Sequence, residues 1–130
     1  MHINVMTILL AALSNFILGA LWYSSILFGT LWQTQQSITK EQMKSRGAWP
    51  FIFAFIYGII AAIGFNYLVM NSISLLHNIT IGLIVGVTLV ATSLGVNYQF
   101  AARSNKLFLI DSGYHVVRFI LYALIFWYLP

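Results

Sequence analysis

The chain has 130 residues, of which 61% are hydrophobic and only 6% charged, and its net charge is +4. Ordinary soluble domains carry about 25% charged residues, so in water this chain would show large apolar patches; lipid is the simpler solvent. The six Lys and Arg fall between apolar segments and form no nucleic-acid face, and the absence of cysteine excludes disulfides, thiolate nucleophiles and thiolate metal sites.

From Met1 to Thr39 there is no Asp, Glu, Lys or Arg. The apolar part, about residues 3–28, exceeds the roughly 20 residues that a helix needs to cross the hydrocarbon layer. It lacks the basic start and the Ala-x-Ala site of a cleaved signal peptide, so it is expected to be a retained span. The loop that follows sets Lys40, Lys44 and Arg46 against Glu41. Within it, Thr39 with Gln42 three residues later predicts a capping box and a short surface helix over about residues 40–46.

The stretch from Gly47 to Ala102 is again free of Asp, Glu, Lys and Arg and is long enough for two spans. Its most polar part, Met70 to Asn78, is the predicted turn, which gives spans of about residues 50–69 and 79–100. Pro50 suits a first helical turn, where its missing N–H costs nothing. A fourth span covers about residues 107–128. The expected fold is all-α: a single domain, residues 1–130, forming an integral membrane bundle of four transmembrane helices. Asn78-Ile79-Thr80 fits the glycosylation triplet, but at a membrane edge it is not expected to serve as one.

With four spans, the loop holding Lys40, Lys44 and Arg46 and the loop holding Arg103 and Lys106 share a side. The positive-inside rule makes that side cytoplasmic and puts the N-terminus and the C-terminus outside. Trp22, Tyr23, Trp32, Trp49 and Tyr98 gather towards the inner boundary, and Tyr67, Trp127 and Tyr128 towards the outer one, where amphipathic rings are favoured.

Helices in lipid associate through small residues and polar contacts. The faces expected to pack are Ala54, Gly58 and Ala62 in the second span, and Gly82 and Gly86 in the third. In the first span Asn4, Ala11, Asn15, Gly19 and Trp22 share a face. The third span has another stripe, Thr88, Thr92, Gly95 and Gln99, which faces a partner subunit or simply bonds back to its own helix.

The fourth span raises the functional question. At 100° per residue Asp111, His115, Arg118 and Tyr122 fall within a narrow arc, with Tyr114 at its border. Arg118 sits near the midplane, about 16 Å in at 1.5 Å per residue. Such a stripe must face protein or a water-filled cavity. Arg118 is expected to lean back over His115 and Tyr114 towards Asp111, with a bridge to it through His115, water or another helix. Asn15, Trp22, Thr92 and Asn97 complete the candidate polar site within the membrane. Intramembrane charges either pair to fix helix register or mark a pathway for a proton or an anionic solute. His2, His77 and His115 do not converge, so no metal is expected; no cofactor and no catalytic residue is expected either.

Two stretches, "LGALWYSSILFGTLW" (Leu18–Trp32) and "ATSLGVNYQFAARSNKLFLIDSGYH" (Ala91–His115), resemble an uncharacterised family of small bacterial integral membrane proteins, the domain of unknown function 1761. The resemblance extends over nearly the whole chain. It departs at Ser25, where the family commonly has proline, and at Asp111, where it commonly has asparagine. The resemblance implies the same architecture and a multi-pass place in the bacterial inner membrane, and it implies no activity.

Three function classes follow. The first is a transport or binding module for a small solute, proton-linked or anionic, acting as a homo-oligomer because four spans are few to form a pathway alone. Leu18-Gly19 and Leu94-Gly95, each followed by aromatics, hint at parallel hairpin repeats of the kind some transporters show. The second is an accessory or structural membrane protein in which the fourth-span charges are packing glue. The third is a membrane enzyme acting on lipid or quinone, with Trp22, Tyr23 and Tyr114 lining its pocket. Lipid is the surrounding partner in all three.

Overall fold

A computed structural model describes residues 4–130. The first residue of the expected first span, Ile3, and His2 and the N-terminus lie outside the described residues. Six helices follow in order: α1 (Val5–Trp22), α2 (Gly29–Gln35), α3 (Lys40–Ser45), α4 (Trp49–Val69), α5 (Leu75–Phe100) and α6 (Asn105–Tyr128). Among the described residues there is no strand. Four of these helices, α1, α4, α5 and α6, are long and apolar enough to cross a membrane, with mean hydropathies of 2.0, 2.1, 2.2 and 1.4.

Local sequence explains most helix ends. The Asn4 side chain accepts from the Met6 and Thr7 amides and starts α1. Thr39 and Gln42 form the reciprocal capping box at α3. Pro50 occupies the first turn of α4. Ser74 and Ser104 cap α5 and α6 by accepting from the His77 and Leu107 amides. Gly47, at φ +59°, supplies the left-handed residue that ends α3 and turns the chain into α4.

Two boundaries differ from the expected ones. The first helix ends at Trp22, not near residue 28: the Tyr23 and Ser24 amides close the last turn, and Ser24 takes the Gly29 amide at 2.8 Å. Hydropathy alone does not see this break, because Ile26, Leu27 and Phe28 are apolar and exposed. The third helix starts at Leu75, not residue 79, because the Ser74 cap lets the polar His77 and Asn78 enter the helix.

The helix α6 lies centrally. It packs most extensively on α5 and α1, α1 packs on α4, and α4 makes only slight contact with α5 and α6. Buried side chains follow helical stripes: Thr7, Ile8, Ala11, Ala12 and Asn15 in α1, and Gly58, Ala62, Phe65 and Val69 in α4. Ala54, expected on the packing face, is exposed; at this level of α4 the contact with α1 is made by Phe55, whose ring centroid lies 5.6 Å from that of Phe16. Gly82 and Gly86 are buried where α5 crosses α6: a methyl group on Gly82 would lie 2.7 Å from the Phe119 carbonyl oxygen, and one on Gly86 2.9 Å from the Val116 Cα. Between Ile84 and Ala91 the turns of α5 widen to π-helical bonding. An aromatic cluster of Phe65, Phe119, Tyr122 and Phe126 closes the core, with Phe65 and Phe119 ring centroids 5.7 Å apart.

Candidate functional site

The α6 stripe divides into two environments. At its N-terminal end Asp111 is held by three aromatic donors from three other segments. The Tyr23 hydroxyl donates to Oδ1 at 2.7 Å and the Trp32 indole N–H to the same oxygen at 3.2 Å. The Tyr98 hydroxyl donates to Oδ2. A single carboxylate thus ties together the end of α1, the short helix α2, the end of α5 and α6. Trp22 adds a bond to the neighbouring backbone, its indole N–H donating to the Ile110 carbonyl at 2.9 Å. Burial, and then the Asp111 carboxylate, push the Tyr23 phenol well above its ordinary range, so it remains a donor. Outside this ring Arg103 lies over the Tyr98 face at 5.6 Å.

One turn further in, Tyr114 reaches α1. Its hydroxyl donates to Asn15 Oδ1 at 2.7 Å, and its ring lies 3.7 Å from the position of a methyl group on Gly19. Asn15 is 5% exposed, and a methyl group on Gly58 of α4 would lie 3.1 Å from its Nδ2. Tyr122, fully buried, donates to the Gly58 carbonyl at 3.0 Å. Two small residues, Gly19 and Gly58, therefore let the α6 tyrosines reach α1 and the α4 backbone.

His115 and Arg118 are different. His115 Nδ1 and Arg118 Nε are buried and meet no hydrogen-bonding partner. The Arg118 guanidinium carbon lies 4.6 Å from the centroid of the Phe119 ring and 5.9 Å from that of Tyr122. Arg118 makes no hydrogen bond to Asp111: the carboxylate is occupied by three donors, and aromatic faces offer the cation nearby attraction. No ion pair joins Asp111 to Arg118 among the described residues.

The structure gathers a site along α6: Asn15 and Trp22 of α1 meet Tyr114 and the backbone beside Asp111, Tyr122 meets Gly58 of α4, His115 packs on Tyr114, and Arg118 lies against Phe119 and Tyr122. It leaves Thr92 and Asn97 apart from it, exposed on the outside of α5. Thr88 and Thr92 bond back to the Ile84 and Thr88 carbonyls, both at 2.6 Å, which satisfies their hydroxyls within the helix. Tyr23, Trp32 and Tyr98 complete the Asp111 site; the sequence placed all three at the inner boundary, and Tyr23 also in the pocket of the enzyme reading, but none of them beside Asp111. Their common depth with Asp111 is the signal that could have joined them to it. Among the described residues no three His, Asp or Glu side chains gather in one place.

No curated protein and no solved structure matches the chain. One family profile does, over residues 6–127, and by that match the chain belongs to the family described as protein of unknown function, DUF1761.

Proposed function

We propose that this protein is an intramembrane binding module for a small anionic solute, working as a homo-oligomer in transport, with Arg118 as the anion's partner and His115 beside it. The observation that carries the reading is the pair of unmet polar atoms, Arg118 Nε and His115 Nδ1, in the span whose own acid is fully engaged elsewhere. A guanidinium is costly in a membrane core without a counter-charge, and an anion supplies one with a charge-assisted hydrogen bond. Separate clefts of about 310 and 280 Å³ lie at opposite ends of the bundle, one edged by Tyr23 and Lys40 and the other by Asn66 and Asn78.

The test measures anion-dependent thermal unfolding of the purified protein in micelles, with acetate and inorganic phosphate as probes. The anion should raise the midpoint of the wild type and of Arg118→Lys, and leave Arg118→Leu unmoved. An equal shift in folded Arg118→Leu removes the anion reading.

A second reading is favoured by the 4.6 Å contact of Arg118 with the Phe119 ring: the cation acts as packing glue in an accessory membrane protein. On that reading Arg118→Leu disrupts the bundle, and no anion shifts the wild type. We also assign the chain to the bacterial inner membrane, with its basic loops in the cytoplasm.

A further inference from the structure

At the end of the bundle opposite Asp111, the last turns of α4 and α6 meet the start of α5 around the 280 Å³ cleft. Asn66, Ser72, Asn78, Phe126 and Trp127 are part of its lining. Asn78 is 2% exposed, and its Nδ2 donates to the Ala123 carbonyl at 3.3 Å. That bond fixes which way the amide points, since a carbonyl can receive only its N–H side. The other atom, Asn78 Oδ1, is buried and meets no protein donor. A buried acceptor without a donor is costly, and polar walls of this kind are satisfied by what binds there. At Ser72 the hydroxyl donates to the Ser74 carbonyl at 3.0 Å, so its oxygen faces the surroundings as an acceptor.

The local field selects the kind of donor. Helices α4 and α6 both end at this cleft, and neither has a basic residue in its last turn. Their final carbonyls add partial negative charge that no cationic side chain compensates, although Thr7 and Asn4 donate to the Leu129 and Pro130 carbonyls just past α6. The opposing positive end of α5 is reduced by its cap, the Ser74 hydroxyl oxygen accepting from the His77 amide at 3.1 Å. The cleft lining holds no charged side chain, and Phe126 and Trp127 supply ring faces that attract cations. The two helix C-terminal ends and the ring faces disfavour an anion, and the capped start of α5 is the one feature that opposes them.

We infer that this cleft binds a primary ammonium group, with Asn78 Oδ1 accepting one of its N–H bonds. The group is carried either by the amino headgroup of a phospholipid or by a small free amine. The site is separate from Arg118 and stands without the anion reading.

The test uses the full chain in micelles, with ethylammonium and its neutral counterpart ethanol as probes in calorimetric titration. Ethylammonium should bind saturably, ethanol at least about tenfold more weakly, and Asn78→Leu should lose about tenfold in ethylammonium affinity. Asn66→Leu alters the same wall without touching the Asn78–Ala123 bond, and should also weaken binding if Asn78→Leu does not fold. Arg118→Leu should leave ethylammonium binding unchanged, which keeps the two sites distinguishable. Native mass spectrometry separates the sources. Retention of phosphatidylethanolamine but not phosphatidylcholine, with release by ethylammonium, identifies a lipid headgroup. Ethylammonium binding without lipid retention identifies a free amine. Equal affinity for ethylammonium and ethanol, or affinity unchanged in the folded Asn78 and Asn66 variants, overturns the inference.

Discussion

Asp111 and Arg118 share a face of one helix, yet only the acid finds protein partners. The Asp111 oxygens accept from Tyr23, Trp32 and Tyr98, so removing the carboxylate leaves three donors without an acceptor. Asp111→Ala should cost about 2–4 kcal/mol of stability, since each orphaned donor carries a desolvation penalty of its own. Asp111→Asn keeps Oδ1 for Tyr23 and Trp32, and Tyr98 can turn its hydroxyl to accept from the new amide. Its cost should stay within about 1 kcal/mol. Denaturant titration of both variants in one detergent checks the order; an Asn variant as weak as the Ala variant would show that charge, not hydrogen bonding, holds the site. The polar character of this face was legible from the 100° periodicity of Asp111, His115, Arg118 and Tyr122. Its division was not, because the partners of Asp111 come from residues 79 to 88 positions away as well as from nearby Tyr98.

At the scale of elements, glycines separate contact from exposure. Gly82 lies against the α6 backbone, so Gly82→Ala should force α5 and α6 apart and destabilise by about 1–3 kcal/mol. Gly64 has nothing within 4 Å of an added methyl group, and Gly64→Ala should be neutral or stabilise by up to about 1 kcal/mol. Thermal unfolding of the two variants side by side tests the helix assignment; equal effects would place the α5–α6 contact elsewhere. Spacing alone put Ala54 in the same class as Gly58 and Ala62, yet Ala54 is exposed. A small-residue pattern marks a face that is able to approach a neighbour, and which of its positions meet one depends on where the neighbouring helix lies. The break after Trp22 escaped hydropathy for a related reason: the turn is made by backbone and Ser24 bonds, not by a change in polarity.

For the whole molecule, the four long apolar helices set a simple prediction of sidedness. Ser45 lies at the end of α3 near Lys44 and Arg46, and Ile73, 90% exposed, lies in the turn between α4 and α5. Cysteines introduced one at a time, Ser45→Cys and Ile73→Cys, should react with an impermeant thiol reagent from opposite sides of the membrane, Ile73→Cys from outside. Labelling of Ser45→Cys from outside overturns the orientation. The sequence by itself determined the class of protein, the number of long helices, and the Thr39 and Pro50 helix starts, because hydropathy, charge placement and capping signals act over a few neighbouring residues. Only the tertiary structure decided that Asp111 is satisfied, that Arg118, His115 and Asn78 keep unmet polar atoms, and that Thr92 and Asn97 face away from them. Those outcomes depend on which helices approach α6 and at what depth, and periodicity within one helix carries no record of its neighbours.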